Sequence, residues 1–214
     1  MTRRPSPVER LVVATRNDHK LRELGEILSS VELVPLPAGI ELPPEKAETF
    51  AGNALAKARA ARDATGEAAI ADDSGIAAAA LGGRPGVRSA RYAGPAASDE
   101  DNLALLLREL EPAPDRSVAY VCAIADAAPG GEELTVEGRC WGTLAREPRG
   151  SGGFGYDPAF VPDDTGPDDE RTMAELSAAE KHAISHRGRA TRALAERLGI
   201  PAAGRARSEE AARP

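Results

Sequence analysis

The sequence predicts an α/β fold built on a mixed β-sheet. Two observations lead there. Short apolar runs alternate with helical patterns in the first third of the chain, and two long strand patterns flank Pro129-Gly130-Gly131 in the middle, which reads as a hairpin. Composition agrees with one ordinary globular core. Of 214 residues, 42 % are hydrophobic, but alanine supplies about half of these and aromatics only 3 %. Such a core is made of Ala, Leu, Val and Ile in close packing, not of large rings.

The elements follow in order. Residues 11–14 are a short apolar strand, ended by Thr15-Arg16-Asn17-Asp18; Leu21, Leu24, Ile27 and Leu28 then share one face of a helix. Residues 31–36 form a second strand, closed by prolines 35, 37, 43 and 44. Residues 49–65 are rich in Ala, Leu, Lys and Arg and predict a helix. A buried strand over 68–71 runs directly into Asp72-Asp73-Ser74-Gly75, and 82–97 is a loop of Gly, Pro and Arg. Ser98 caps a helix to Leu110, with acids 99–101 in its first turn where the dipole favours them. Strands over 118–125 and 134–144 make the hairpin, followed by a glycine-rich loop at 150–157, Phe160-Val161 and an acidic, solvated stretch at 163–170. Ser177 with Glu180 is a capping box opening one last helix, which stops at Gly199 before Pro201. The reading is a single domain over 10–200, with flexible ends at 1–9 and 201–214.

Charge excludes several functions. Lys plus Arg number 27 against 34 Asp plus Glu, a net charge of −7, so a generic basic nucleic-acid footprint is not expected. Any bound phosphate must be held by local groups or a metal. Cys122 and Cys140 are too few and too far apart for a disulfide framework or a Cys-rich zinc site. No apolar run approaches the roughly 20 residues that span a bilayer, and the first apolar run is too short for a signal peptide. The expectation is a cytoplasmic protein with no membrane partner. Walker, dinucleotide-binding and nucleophile-elbow motifs are absent. His182 and His186 have zinc spacing but lack a zincin glutamate.

Four segments can carry chemistry. Asp72-Asp73 ends a buried strand, and two adjacent ionised carboxylates need a cation nearby, such as Mg²⁺. A turn with solvated acids accounts for them equally well. Thr15–Lys20 lies between a strand and a helix, where backbone amides and Lys20 attract phosphate; an ordinary cap with a surface lysine is the plainer account. Gly152-Gly153-Phe154-Gly155-Tyr156-Asp157 offers close backbone approach, an aromatic face and a carboxylate for a base, or is simply a glycine-rich turn. Lys181 with Ser185-His186-Arg187 groups cations and donors on one helix, or forms a solvated basic face. Taken together, a nucleoside phosphate is the economical common ligand.

The segments ATRNDHKLREL (14–24), TFAGNALAKARAA (49–61), ADDSGIAAAALGGRPGVRSARYAG (71–94), GGFGYDPAF (152–160) and AELSAAEKHAISHRGRA (174–190) stand in one order along the chain. In this the chain strongly resembles the ITPase-like family of pyrophosphatases acting on non-standard purine nucleoside triphosphates. The resemblance implies an elongated mixed sheet flanked by helices, two lobes with a central cleft, a homodimer, and Mg²⁺-dependent hydrolysis of dITP, ITP and XTP to the monophosphate and pyrophosphate. It implies that Thr15, Arg16, Asn17, Asp18, His19 and Lys20 hold the triphosphate, and that Lys57 points to the phosphates. Asp73 would be catalytic acceptor and metal ligand, with Glu45 and Asp72 as further metal ligands. Ser74 would touch substrate, Phe154 would stack the purine, and Gly155, Tyr156 and Asp157 would complete that wall. Lys181, His186 and Arg187 would reach the base and sugar-phosphate. His19 and Arg16 replace smaller residues frequent in the family, and the 162–171 loop is longer and more acidic than usual. Maf-like specificity for other modified nucleotides, or a nucleotide-binding module without turnover, are the alternatives.

Overall fold

The computed structural model describes residues 8–201, so the expected flexible ends lie almost wholly outside the described residues. Strand β1 (Arg10–Val13) pairs in parallel with β2 (Glu32–Pro35) on one edge and with β3 (Ala69–Ala78) on the other. Antiparallel pairing adds β4 (Ser117–Ala127), β5 (Glu133–Leu144) and β6 (Phe160–Pro162). The result is an open sheet in the order β2-β1-β3-β4-β5-β6; its mixed character is what the alternation and the central hairpin predict.

Strand alternation sorts the core onto two faces. Leu11, Val13, Ile70, Cys122 and Ile124 pack with α1 (Asp18–Ile27) and α5 (His186–Leu198). Val12, Ala14, Ala69, Ala71, Ala125 and Ala127 face Ala54, Ala58 and Ala61 of α2 (Phe50–Thr65). Both sides of that second contact are methyl groups, so the helix can lie close against the sheet, and this is where much of the alanine goes. Further along the first face, Leu103, Leu106 and Leu110 from α3 (Asp99–Glu109) and its cap cover Ile76, Val118, Tyr120 and Phe160.

This topology positions the site. The chain leaves β1 through α1 on one face to reach β2, then returns through α2 on the other face to β3. With the sheet order β2-β1-β3, the two connections run in opposite directions and the switch point falls between β1 and β3. In open α/β sheets that switch point leaves a crevice beyond the strand ends, where ligands bind.

Two expectations are corrected. The strand read as ending at 71 continues to Ala78, and every residue from Ala69 onward pairs with β4. Asp72-Asp73 is therefore mid-strand and not a terminal turn, because β4 supplies partners for the backbone that a turn would otherwise satisfy. Gly75 lets the crossing segment sit against the strand; a Cβ there would lie 2.3 Å from Ser89 Oγ. The single helix expected over 178–198 is two, α4 (Ala178–Ile184) and α5, broken at Ser185. Ser185 is extended (φ −62°, ψ 149°), and its Oγ accepts the Gly188 N–H at 3.0 Å, capping α5. A Cβ on Gly188 would sit 2.5 Å from the His182 carbonyl oxygen, so the glycine permits the bend. Lys181 consequently lies on a different helix from His186 and Arg187, and the two histidines share no helix face.

Candidate active site

A cleft of about 1090 Å³ opens at the carboxyl end of β1, lined by residues 14–20, the 42–45 segment, Lys57 and Arg91. All six residues expected from the 15–20 loop line it, with Glu45 and Lys57. The loop is closed on itself. Asn17 Oδ1 accepts the N–H groups of His19 (2.9 Å) and Lys20 (3.2 Å), and Thr15 Oγ1 accepts that of Asn17 at 3.1 Å. Those three amides, read as phosphate donors, are thus engaged by the cap. Arg16 donates to the carbonyls of Leu36, Pro37 and Ile40 at 2.7–2.9 Å, tying the loop to the segment that leads to Glu45.

On the α2 face of β3, Lys57 Nζ lies between two carboxylates, 3.1 Å from Glu45 Oε1 and 3.3 Å from Asp73 Oδ1. Asn53 Nδ2 donates to Asp73 Oδ2 at 3.0 Å, and Arg91 donates to Glu45 Oε2 at 2.9 Å. Burial pushes the Asp73 carboxyl above its ordinary value; Lys57 opposes the rise and Glu45 adds to it. Burial also pushes Glu45 up, but Lys57 and Arg91 outweigh it and its net direction is down. Two carboxylates gathered around one positive charge beside a cleft fit Mg²⁺, which takes one or two carboxylates and completes its shell with water and phosphate oxygens. Among the described residues no three of His, Cys, Asp and Glu form such a group. Asp72 stands apart from Glu45 and Asp73 because consecutive strand residues face opposite ways.

Asp72 belongs to the α1/α5 face. Its Oδ2 lies 3.0 Å from Lys20 Nζ and 3.2 Å from Arg187 Nε. Burial works against the charge, yet Lys20 and Arg187 hold the carboxyl well below its usual range. Arg187, only 2 % exposed, also donates to Glu23 Oε2 at 2.5 Å and to Ser74 Oγ at 3.0 Å. Its guanidinium thus has three partners where the sequence suggested a free donor. Glu23 further approaches Lys181, at 3.7 Å.

Beyond Arg187 lies the 152–157 loop. The Phe154 ring has Lys181 Nζ 5.0 Å and Arg187 Cζ 6.0 Å from its centroid, and the His19 ring 5.6 Å away at 34°. Asp157 Oδ2 accepts from Phe154 N–H (2.9 Å) and Lys181 Nζ (2.8 Å). Gly155 N–H donates to Asp99 at 2.8 Å, and the Tyr156 hydroxyl to the Ser89 carbonyl at 2.8 Å. His186 is buried, and burial together with Arg187 and Lys181 keeps its imidazole neutral, well below the ordinary 6.5.

Sequence reasoning missed Asn53, Arg91, Glu23, Asp99 and Tyr120. Asn53 was findable: it sits four before Lys57, a polar residue on a helix face otherwise made of alanine. Arg91 and Asp99 carry no local signal; the fold alone brings them to the cleft and to the glycine loop.

Fold and site define an open mixed-sheet α/β protein with a charged crevice at its switch point, walled by a lysine–carboxylate cluster and an aromatic, cationic pocket. The chain belongs to the Ham1 family, whose sequence model matches residues 11–197. It is 52 % identical over 200 residues to the dITP/XTP pyrophosphatase of Frankia alni, covering 88 % of this chain and 96 % of that one. The dITP/XTP pyrophosphatase of Mycobacterium tuberculosis strain H37Rv is 51 % identical over 206 residues, 92 % and 98 % of the two chains. Among solved structures, a HAM1 protein from Coxiella burnetii superposes with a TM-score of 0.82 at 40 % identity, covering 91 % of this chain and 100 % of that one. A nucleoside-triphosphatase/dITP/XTP pyrophosphatase from Mycobacterium abscessus gives 0.72 at 49 % identity, with 86 % and 98 % covered.

Proposed function

We propose that this protein is a nucleoside-triphosphate pyrophosphatase. It hydrolyses the deaminated purine nucleotides dITP, ITP and XTP to the monophosphate and pyrophosphate, clearing them from the nucleotide pool before they enter DNA or RNA. The observation that carries the reading is the Glu45–Lys57–Asp73 cluster beside the cleft walled by Thr15–Lys20. Family membership and the names of the relatives support the substrate class.

In this reading Thr15, Arg16, Asn17, Asp18, His19 and Lys20 line the triphosphate path, and Lys57 faces the phosphates. Glu45 and Asp73 hold Mg²⁺, with Asp72 supporting from the other face through Lys20. When bound, Mg²⁺ offsets phosphate charge. Asp73, its carboxyl raised by burial, takes a proton from the attacking water, and Asn53 fixes its orientation. Positioning and electrostatic stabilisation supply most of the rate in phosphoryl chemistry.

The base lies against Phe154, with Ser74, Gly155, Tyr156 and Asp157 shaping the wall and Lys181, His186 and Arg187 at its edge. Arg187 uses three of its five N–H groups on Asp72, Glu23 and Ser74, which leaves two for a 6-oxo acceptor. An adenine amino group would leave them unpaired, and such a mismatch discriminates strongly. A single domain over 10–200 acting as a cytoplasmic homodimer completes the proposal. Among the described residues no helix is long and apolar enough to cross a membrane.

The test is a product assay with Mg²⁺ on dITP, XTP, dGTP and ATP that resolves pyrophosphate from phosphate. Pyrophosphate and monophosphate from dITP and XTP, with little from dGTP or ATP, is the expected result. Pyrophosphate mainly from other bases would move the specificity to the Maf-like alternative. No turnover by folded, Mg²⁺-loaded protein would leave a binding module.

A further inference from the structure

Tyr120, on the buried strand β4, is remote from every motif in the sequence yet touches two walls of the base site. Its ring is the centre of a three-ring stack, with Phe160 at 4.4 Å and 28° on one side and His186 at 4.6 Å and 14° on the other. Its hydroxyl donates to Asp157 Oδ1 at 3.0 Å. The other oxygen of Asp157 takes the Phe154 N–H and the Lys181 ammonium. One carboxylate therefore joins the aromatic wall to the cation beside it, and one hydroxyl joins that carboxylate to the sheet.

We propose that Tyr120 is a positioning residue for base recognition, acting through Asp157 on Phe154 and Lys181. The inference rests on the base site described above. Asp157 is 3 % exposed, and a carboxylate so deeply buried depends on its donors. The glycine loop is wrapped tightly around it; a Cβ on Gly153 would lie 2.1 Å from Asp157 Oδ2. Without the Tyr120 hydroxyl, Oδ1 loses its donor and the carboxylate turns, taking the Phe154 backbone and the Lys181 head group with it. The hydroxyl stays protonated, because burial and the Asp157 charge push it well above its ordinary 10.0. The Glu45–Lys57–Asp73 cluster lies on the other face of β3, so binding is affected and chemistry is spared.

The experiment compares Tyr120→Phe, Asp157→Ala and the double variant, using full-length protein with dITP and Mg²⁺. Turnover of dITP by the wild type secures the underlying reading independently of the variants. Tyr120→Phe keeps the ring stack and removes one O–H. It should raise KM about tenfold while kcat stays within about twofold, the signature of lost binding from one hydrogen bond to a charged group. If Tyr120 acts through Asp157, the double variant is no worse than Asp157→Ala alone, because alanine already removes the acceptor of the Tyr120 hydroxyl. Multiplying effects in the double variant would overturn the proposal. So would a Tyr120→Phe protein with a lower melting temperature and an unchanged KM, since that result marks a structural role only.

Discussion

Asp72 and Asp73 are neighbours in sequence but belong to different networks: Asp72 Oδ2 lies 3.0 Å from Lys20 on one face of β3, and Asp73 Oδ1 lies 3.3 Å from Lys57 on the other. The strand passes between the two halves of the site. Asp72 gathers Lys20 of the triphosphate loop, from α1, and Arg187 of the base pocket, from α5. Asp73 gathers the lysine and amide of α2. Mutual repulsion between adjacent carboxylates is relieved because each is given its own cation. β1 ends at Val13, so this stretch of β3 lies beside the crevice where a single substrate can meet both networks.

Asp73→Asn should fold normally and lose roughly 10²–10⁴ in kcat, the range for removing a general base. The amide keeps the size of the side chain but cannot take a proton. Melting curves establish folding, and the pyrophosphate assay reads the rate. Near-normal turnover in a folded variant would remove Asp73 from the mechanism.

Phe154→Ala should weaken substrate binding by about 1–3 kcal/mol, the range for stacking one base. The effect belongs in KM for dITP, with kcat little changed. An unchanged KM would move the base away from the ring and from the His19, Lys181 and Arg187 groups around it.

Gly138→Ala tests how the sheet seats α5. A Cβ at Gly138 would lie 2.3 Å from the His186 carbonyl oxygen and 2.4 Å from the Ala190 nitrogen, both backbone atoms that cannot swing aside. Overpacking of this kind costs about 1–3 kcal/mol, and thermal unfolding should show a lower melting temperature. The displaced helix carries His186 and Arg187, so KM for dITP should rise as well. A variant with wild-type stability would show that α5 is not seated as tightly as the backbone contacts require.

The two capping boxes should stabilise the fold at neutral pH and lose that contribution in acid. Hydrogen bonds from the Ser98 backbone and side chain hold Asp101 below its ordinary 3.8, and those from Ser177 hold Glu180 below 4.5. A carboxyl depressed on folding contributes stability above its unfolded pKa, and that contribution is lost as pH falls through the folded value. The melting-temperature gap between wild type and an Asp101→Asn/Glu180→Gln variant should therefore be open at pH 7 and narrow at about pH 3. An equal gap at both pH values would assign the effect to something other than ionisation.

Much of the site was legible because its chemistry is local. Asn17 caps α1 and sits beside Lys20, Ser98 and Ser177 open their helices as capping boxes, and the glycine loop presents Phe154. Lys57 was reached through the family resemblance, and Asn53, one turn before it on α2, was overlooked. Arg91 comes from a 3-10 turn that Ser89 holds against β3, and no pattern near Arg91 announces Glu45 as its partner.

The sequence by itself determined the α/β class, the hairpin, the helix caps and the residue types of the site. These depend on hydrophobic period, cap chemistry and turn residues within a few positions of one another. Only the tertiary structure decided that Asp72-Asp73 lies mid-strand, that the last helix breaks at Ser185, and that Arg187 is enclosed by Asp72, Glu23 and Ser74. The strand extension and the enclosure of Arg187 depend on partners far along the chain, and the helix break on a bend that Gly188 permits. β4 extends β3 by pairing with it, and β5 draws α5 close through Gly138. Two residues side by side in sequence are then separated by the sheet, while Asp72 and Arg187, more than a hundred positions apart, are joined through it.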